Sequence, residues 1–262
     1  MSTEVTSNKH IKINGSGTAS GGIFDEVKIN GSGKVVGDIE CKLVKIDGSG
    51  NVEGAVKAHK IRINGSGTIN GDITATDMKV NGSSSLLGCA IIDELTINGS
   101  TNFAKDIKVK EFNINGASKV SGRITGGKVK VNGMLTVKGS CEVEVFESNG
   151  TLEVDGLLSA DMIHLKIGHQ SVVKEMGGEH ISVIEHISTK MLKKILNFLF
   201  QRNDVLNAEV IEGDEINLDV TSAKLVRGKR VFIGEKCHID RVEYSEHLDI
   251  HENAKVRETV KI

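Results

Sequence analysis

Apolar and polar residues alternate along this chain in short runs that return at a fixed interval. Ile61-Arg62-Ile63-Asn64-Gly65 is one such run: two apolar residues flank a cation, and Asn-Gly closes it. The same unit recurs with Asn at 14, 30, 64, 81, 98, 115 and 132. Asp47 takes the Asn place once, and a degraded copy ends at Asn149. The step from Asn14 to Asn30 is one residue shorter than the later steps, which are all equal. Strict alternation predicts a strand with one buried face. A constant interval of this size predicts stacked repeats rather than an ordinary globular core.

Aligning the repeats on Asn exposes further inward columns. Five residues on stand Val35, Val52, Ile69, Leu86, Phe103, Val120, Val137 and Val154. Nine and eleven residues on stand pairs such as Val56 with Ala58 and Ile73 with Ala75. Gly seven residues on (Gly37, Gly54, Gly71, Gly88, Gly122, Gly139, Gly156) reads as a second corner, and Asn-Gly as a turn whose residues tolerate positive φ. Three short strands per period describe one triangular coil of a β-solenoid, an all-β fold. The few apolar side chains of one coil cannot offset its backbone entropy, so neighbours must complete the burial.

The pattern divides the chain into a short polar tail (1–10), a main coil array (11–186), a helical segment (187–204) and further coils (205–262). The array loosens after Asn132, and Lys166 takes the next Asn register. In 187–204, Met191, Leu192, Ile195, Leu196, Phe198 and Leu199 form an apolar stripe opposite Lys190, Lys193 and Lys194, with Ser188 or Thr189 as N-cap. Such a helix either caps the solenoid or meets a partner or a membrane surface. Ile216, Ile233 and Ile250 restore the period of the first array. The step from Leu165 to Ile216 equals three periods, as if the register ran on across the helix.

Composition narrows the chemistry. The chain of 262 residues has no Pro, no Trp, 30 Gly and a net charge of −2, with Lys and Glu interspersed along outward positions. That describes a solvated surface, so no nucleic-acid partner is expected. The start of the chain lacks a signal-peptide pattern and no apolar run spans a membrane, so a cytoplasmic protein is expected. Cys41, Cys89, Cys141 and Cys237 form no C-x-x-C pair. Gly31-Ser32-Gly33-Lys34 lacks the spacing of a phosphate loop, the nine His are scattered, and there is no nucleophile elbow. No catalytic residue, cofactor or metal is expected.

These coils, with Gly37-Asp38-Ile39 and Gly71-Asp72-Ile73, resemble the bactofilins, bacterial polymer-forming cytoskeletal proteins. The ending, with Ile211-Glu212-Gly213-Asp214, Val226-Arg227-Gly228 and Val242-Glu243-Tyr244, is similar to that of Firmicute members. The array is longer than a typical single bactofilin domain, and the helical segment is an addition. The resemblance implies a right-handed β-helix that assembles end to end into nucleotide-independent, nonpolar filaments. Such filaments scaffold cell-shape, envelope or motility machinery through client proteins; separately, the apolar stripe and lysines of the helical segment lead to the expectation of weak contact at the inner face of the membrane. The expected polymer ends are Ile11, Ile13, Ala19 and Ile23 in the first coil and Leu248, Ile250, Val256 and Val260 in the last, where the chain stops without a cap. The alternative is a non-polymerising solenoid adaptor for a protein partner.

Overall fold

The structure is a computed structural model that describes residues 3–4, 10–168, 170–185 and 205–262, with side chains from 10 onward. The amphipathic segment 187–204, with Lys190, Met191, Leu192, Lys193, Lys194, Ile195, Leu196, Phe198 and Leu199, lies outside the described residues. All elements among the described residues are strands. They form two compact units, Met1–Gly127 and Lys128–Ile262, each a parallel β-solenoid.

In the first unit the coils from Val56 onward contain an eight-residue strand such as Val56–Ile63 and a four-residue strand such as Ser66–Ile69, while Ser16–Ile29 and Ser32–Ile46 each run as one long strand. The long strand bends. Val56 and Ala58 point inward, then Ile61 and Ile63, and the alternation slips where His59 steps out of the ladder. With Gly67 and Ile69 this makes three inward pairs per coil, the triangular section expected from the spacing. Consecutive coils pair in parallel, one period apart: Ile73 lies between Val56 and Ala90, and Ile63 between Ile46 and Val80. The inward columns are fully buried; Ile61, Ile63, Ile69 and Val80 are 0% exposed.

The short first interval has a local cause. Ser20 pairs with Val36 but Gly22 pairs with Ile39, so one extra residue bulges out around Gly37, whose φ of +102° favours glycine.

The Asn-Gly corner works differently from the turn that the dipeptide suggests. Its glycines have no positive φ; among the described residues only Gly22, Gly37, Gly126, Val220 and Lys236 do. What demands glycine is the stacking: a Cβ on Gly82 would sit 1.9 Å from the Gly65 carbonyl oxygen of the coil below. The asparagines form an amide ladder. Asn81 Nδ2 donates to Asn64 Oδ1 (2.7 Å), Asn98 to Asn81 (2.8 Å) and Asn115 to Asn98 (2.9 Å). Asp47 accepts from Asn64 (2.7 Å), and its other oxygen meets Lys45 (2.7 Å). At the second corner Asp38, Asp72 and Asp106 each accept a backbone N–H from the next coil, those of Ala55, Cys89 and Arg123, all at 2.8 Å. These bonds serve peptide groups where the ladder is interrupted.

A complementary column completes the core. Gly33, Gly50 and Gly67 point inward against Ile29, Ile46 and Ile63, and a Cβ on Gly50 would lie 2.9 Å from Ile46 Cγ2. The column continues with buried Ser84, Thr101 and Ser118, and Ser84 donates to Thr101 (3.0 Å). In the second unit Leu135 and Leu152 hold this place, where the preceding inward residues shrink to Val131 and Ser148. Volume is traded within the coil so that density stays constant.

In the second unit the coil length varies. Ile163 pairs with Ile181, one position beyond the period of the first unit. Ile181 pairs with Ile216, with the segment 187–204 between them in sequence. Ile216 pairs with Val231, two positions short of the period, and Val231 with Leu248 at the full period. The regular spacing of Ile216 and Ile233 is therefore coincidental, because Ile233 stacks on Leu218. The short coil turns tightly at Val220, which has a φ of 45°. Leu165 likewise stacks on Val183 and, through it, on Leu218, not on Ile216.

Candidate assembly ends

In a stacked fold the chemistry that matters lies where the ladder of backbone bonds has no next rung. The last coil consists of the end of His238–Ile250 and of Lys255–Lys261, which pairs on one side with His238–Tyr244. Among the described residues no strand lies on its other side. Leu248 stacks on Val231, Ile250 on Ile233 and Val256 on Ile239, which is 3% exposed. Ile250 is 37% exposed. These three form an apolar floor beside a row of unpaired peptide groups, the arrangement that templates another strand.

Val260 stands elsewhere. It stacks on Glu243, while Thr259 covers the inward Val242. Glu243 is 9% exposed and accepts from Arg227 Nε and Arg241 Nε, both at 2.7 Å. Arg227 and then Arg241 hold its carboxyl below the usual carboxylate range. Arg241 reaches on to Glu258 (3.2 Å), so a charge network ties the last two coils together.

The first coil is covered. Thr3–Glu4 pairs antiparallel with His10–Ile13, Thr3 opposite Ile13 and Glu4 opposite Lys12. Ile11 and Ile13 are 2% and 0% exposed, stacked on Val27 and Ile29. Ala19, half-buried, stacks on Val35. Ile23 turns outward instead of joining the floor. It is 77% exposed beside Glu40, and Phe24 takes the inward column over Cys41, in the space that Gly22 leaves. The missing residue of the first coil shifts the alternation by one. The structure thus gathers Leu248, Ile250 and Val256 at the last coil and Ile11, Ile13 and Ala19 at the first.

Burial pushes the Cys41 and Cys237 thiols up to about 11 and that of Cys141 up to about 12, so these cysteines are core hydrophobes. Gly31 and Gly33 are consumed by packing, against the Gly15 carbonyl and against Ile29 with Ile13. Among the described residues no helix is long and apolar enough to cross a membrane.

The sequence reading missed the amide ladder, the Asp caps and the covering strand. The ladder was legible in the recurring Asn, whose side chains a fixed period must stack; nothing in Thr3–Glu4 announces a strand.

The chain is similar to the uncharacterized protein YhbE of Bacillus subtilis (strain 168), 39% identical over 108 residues, 41% of this chain and 44% of that protein. YhbF of the same organism is 35% identical over 108 residues, 41% of this chain and 42% of that protein. The chain thus spans less than half the length of these curated relatives. No solved structure matches it. The family model that matches is described as Bactofilin, polymer-forming cytoskeletal, and it covers residues 1–90. Residues 1–90, among them stacked parallel coils such as those of Val56–Ile63 and Ile73–Val80, are thus similar to the bactofilins, a polymer-forming cytoskeletal family.

Proposed function

We propose that this chain is a structural scaffold whose copies stack end to end into filaments without nucleotide, in the cytoplasm of a bacterium. The open outer edge of Lys255–Lys261 with the floor of Leu248, Ile250 and Val256 carries the reading. A second copy meeting this edge continues the hydrogen-bond ladder and buries the floor. The loss of Gly31 and Gly33 to coil packing supports assembly that needs no bound phosphate. The family supports self-association. Filaments of this kind would organise cell-shape, envelope or motility machinery through client proteins. The lysines and apolar stripe of 187–204 would add weak contact with the inner face of the membrane, a reading that rests on sequence pattern alone.

One observation favours the non-polymerising adaptor: Thr3–Glu4 already occupies the outer edge of the first coil. Electron microscopy of wild type against Leu248→Asp with Val256→Asp separates the two readings. The scaffold reading predicts long wild-type filaments and short or absent ones in the variant, with unchanged β-rich circular dichroism. Dispersed wild-type particles would favour the adaptor.

A further inference from the structure

Stacking converts outward positions that look interspersed along the sequence into rows of one sign. In the first unit Lys12, Lys28, Lys45, Arg62 and Lys79 pair rung by rung, five cations in one row. Lys60 stands beside it. Its carboxylates are Glu26 on Lys28 (2.8 Å), Asp47 on Lys45 (2.7 Å) and Asp77, shared by Arg62 and Lys60. Six cations thus face these three carboxylates and Glu4, which lies opposite Lys12 in the covering strand, and neither Lys12 nor Lys79 is in an ion pair among the described residues.

The second unit carries the opposite row at a corner. Between paired Val143/Ala160 and Val145/Met162, Glu144 stands over Asp161. The next rungs place Asp161 over Glu179 and Glu179 over Asp214. All four are exposed. Asp214 meets Lys229 (2.9 Å); Glu144, Asp161 and Glu179 have no ion pair among the described residues. The same corner of the first unit mixes signs instead, with Lys42 on Asp25 (2.7 Å), His59 beside Thr76, and Lys110 on Asp93 (3.0 Å). Like charges opposite one another across a ladder are unfavourable, so rows of one sign are not what folding alone selects.

We propose that the basic row of the first unit and the acidic row of the second form a lateral contact between copies of this chain. Both rows repeat at the spacing of stacked strands, about 4.8 Å. Copies lying side by side therefore match charge to charge along the whole row, whereas a partner of another period matches only at intervals. The partner, a second copy, rests on the self-assembly reading, but the surface is separate from the ends. Contacts between exposed charges are screened over about 10 Å at 0.1 M salt and about 3 Å at 1 M. End stacking rests on backbone bonds and apolar burial and survives that change.

The test is electron microscopy and sedimentation at 20 mM and 500 mM salt. Three forms are compared: wild type, an acidified basic row (Lys12→Glu, Lys28→Glu, Lys79→Glu) and a reversed acidic row (Glu144→Lys, Asp161→Lys, Glu179→Lys). Wild type should bundle at low salt and separate into single filaments at high salt. Each variant alone should stay unbundled, and an equimolar mixture of the two should bundle again. At least a tenfold loss of pelletable bundles at 500 mM is expected. Bundling that ignores salt, or a mixture that fails to bundle, overturns the proposal, and the wild-type salt arm decides it alone if a variant misfolds. Single filaments at 20 mM that shift heparin or DNA would assign the basic row to a polyanion instead. Failure of end stacking is distinguishable, because Leu248→Asp with Val256→Asp monomers should still pair laterally at 20 mM salt.

Discussion

Alanine at Gly82 should split the stack where it stands, and the structure contains its own control. A Cβ at Gly82 would lie 1.9 Å from the Gly65 oxygen and 2.5 Å from the Asn64 oxygen, both backbone atoms that cannot rotate away. Real Cβ atoms essentially never approach within 3.0 Å, so the two coils must part locally by about 1 Å, beyond the reach of a normal hydrogen bond. The bonds at risk are Ser83 N to the Gly65 oxygen (2.9 Å), Gly82 N to the Ile63 oxygen (3.2 Å) and the Asn81–Asn64 amide pair (2.7 Å). At about 1 kcal/mol each, the loss is about 2–4 kcal/mol. Gly15 follows Asn14 in the same motif, yet nothing lies within 4 Å of its Cβ, so Gly15→Ala should stay within about 0.5 kcal/mol of wild type. Gly67→Ala should fall between them, since its Cβ meets the movable Ile63 Cδ1 at 3.0 Å. Urea unfolding followed by circular dichroism ranks the three. Equal losses for Gly15→Ala and Gly82→Ala would mean that the turn itself, not coil stacking, demands glycine.

Val120, 0% exposed and stacked on Phe103, should not tolerate Asp: an unpaired carboxylate there costs several kcal/mol, while Lys28→Ala is near neutral, as melting curves will show. Thiol labelling at pH 8 should modify exposed Cys89 within minutes and leave Cys41, Cys141 and Cys237 untouched until the chain unfolds; early labelling of Cys141 would contradict its burial. Because Arg227 and Arg241 depress the Glu243 carboxyl, its contribution is full above the ordinary value of 4.5 and disappears as pH falls through the lower folded value. Glu243→Gln should therefore flatten the acid limb of stability against pH below about 4.5. An unchanged limb would show that the pair adds nothing.

The repeat was legible because its signal is redundant. Ile61, Ile63 and Ile69 recur in register many times, and stacking requires their equivalents to coincide in space. What the sequence obscured was anything set by one coil's exception. One missing residue near Gly22 turns Ile23 outward, and a coil two residues short pairs Ile216 with Val231. Val260 looked like floor because it is apolar, yet its register places it over Glu243. The Asn-Gly corner was found for the wrong reason: a dipeptide carries local turn preference, whereas the space that excludes a Cβ is made by the equivalent residue one coil earlier. The charge rows escaped notice because linear order mixes signs that stacking separates.

The central claim is that copies of this chain join end to end without nucleotide. Sedimentation velocity at tens of micromolar, in buffer free of ATP and GTP and at 500 mM salt to remove lateral contacts, tests it most directly. The account predicts a broad distribution of large species that Leu248→Asp with Val256→Asp collapses to monomer. A wild-type chain that sediments as a single monomeric boundary under those conditions would contradict it.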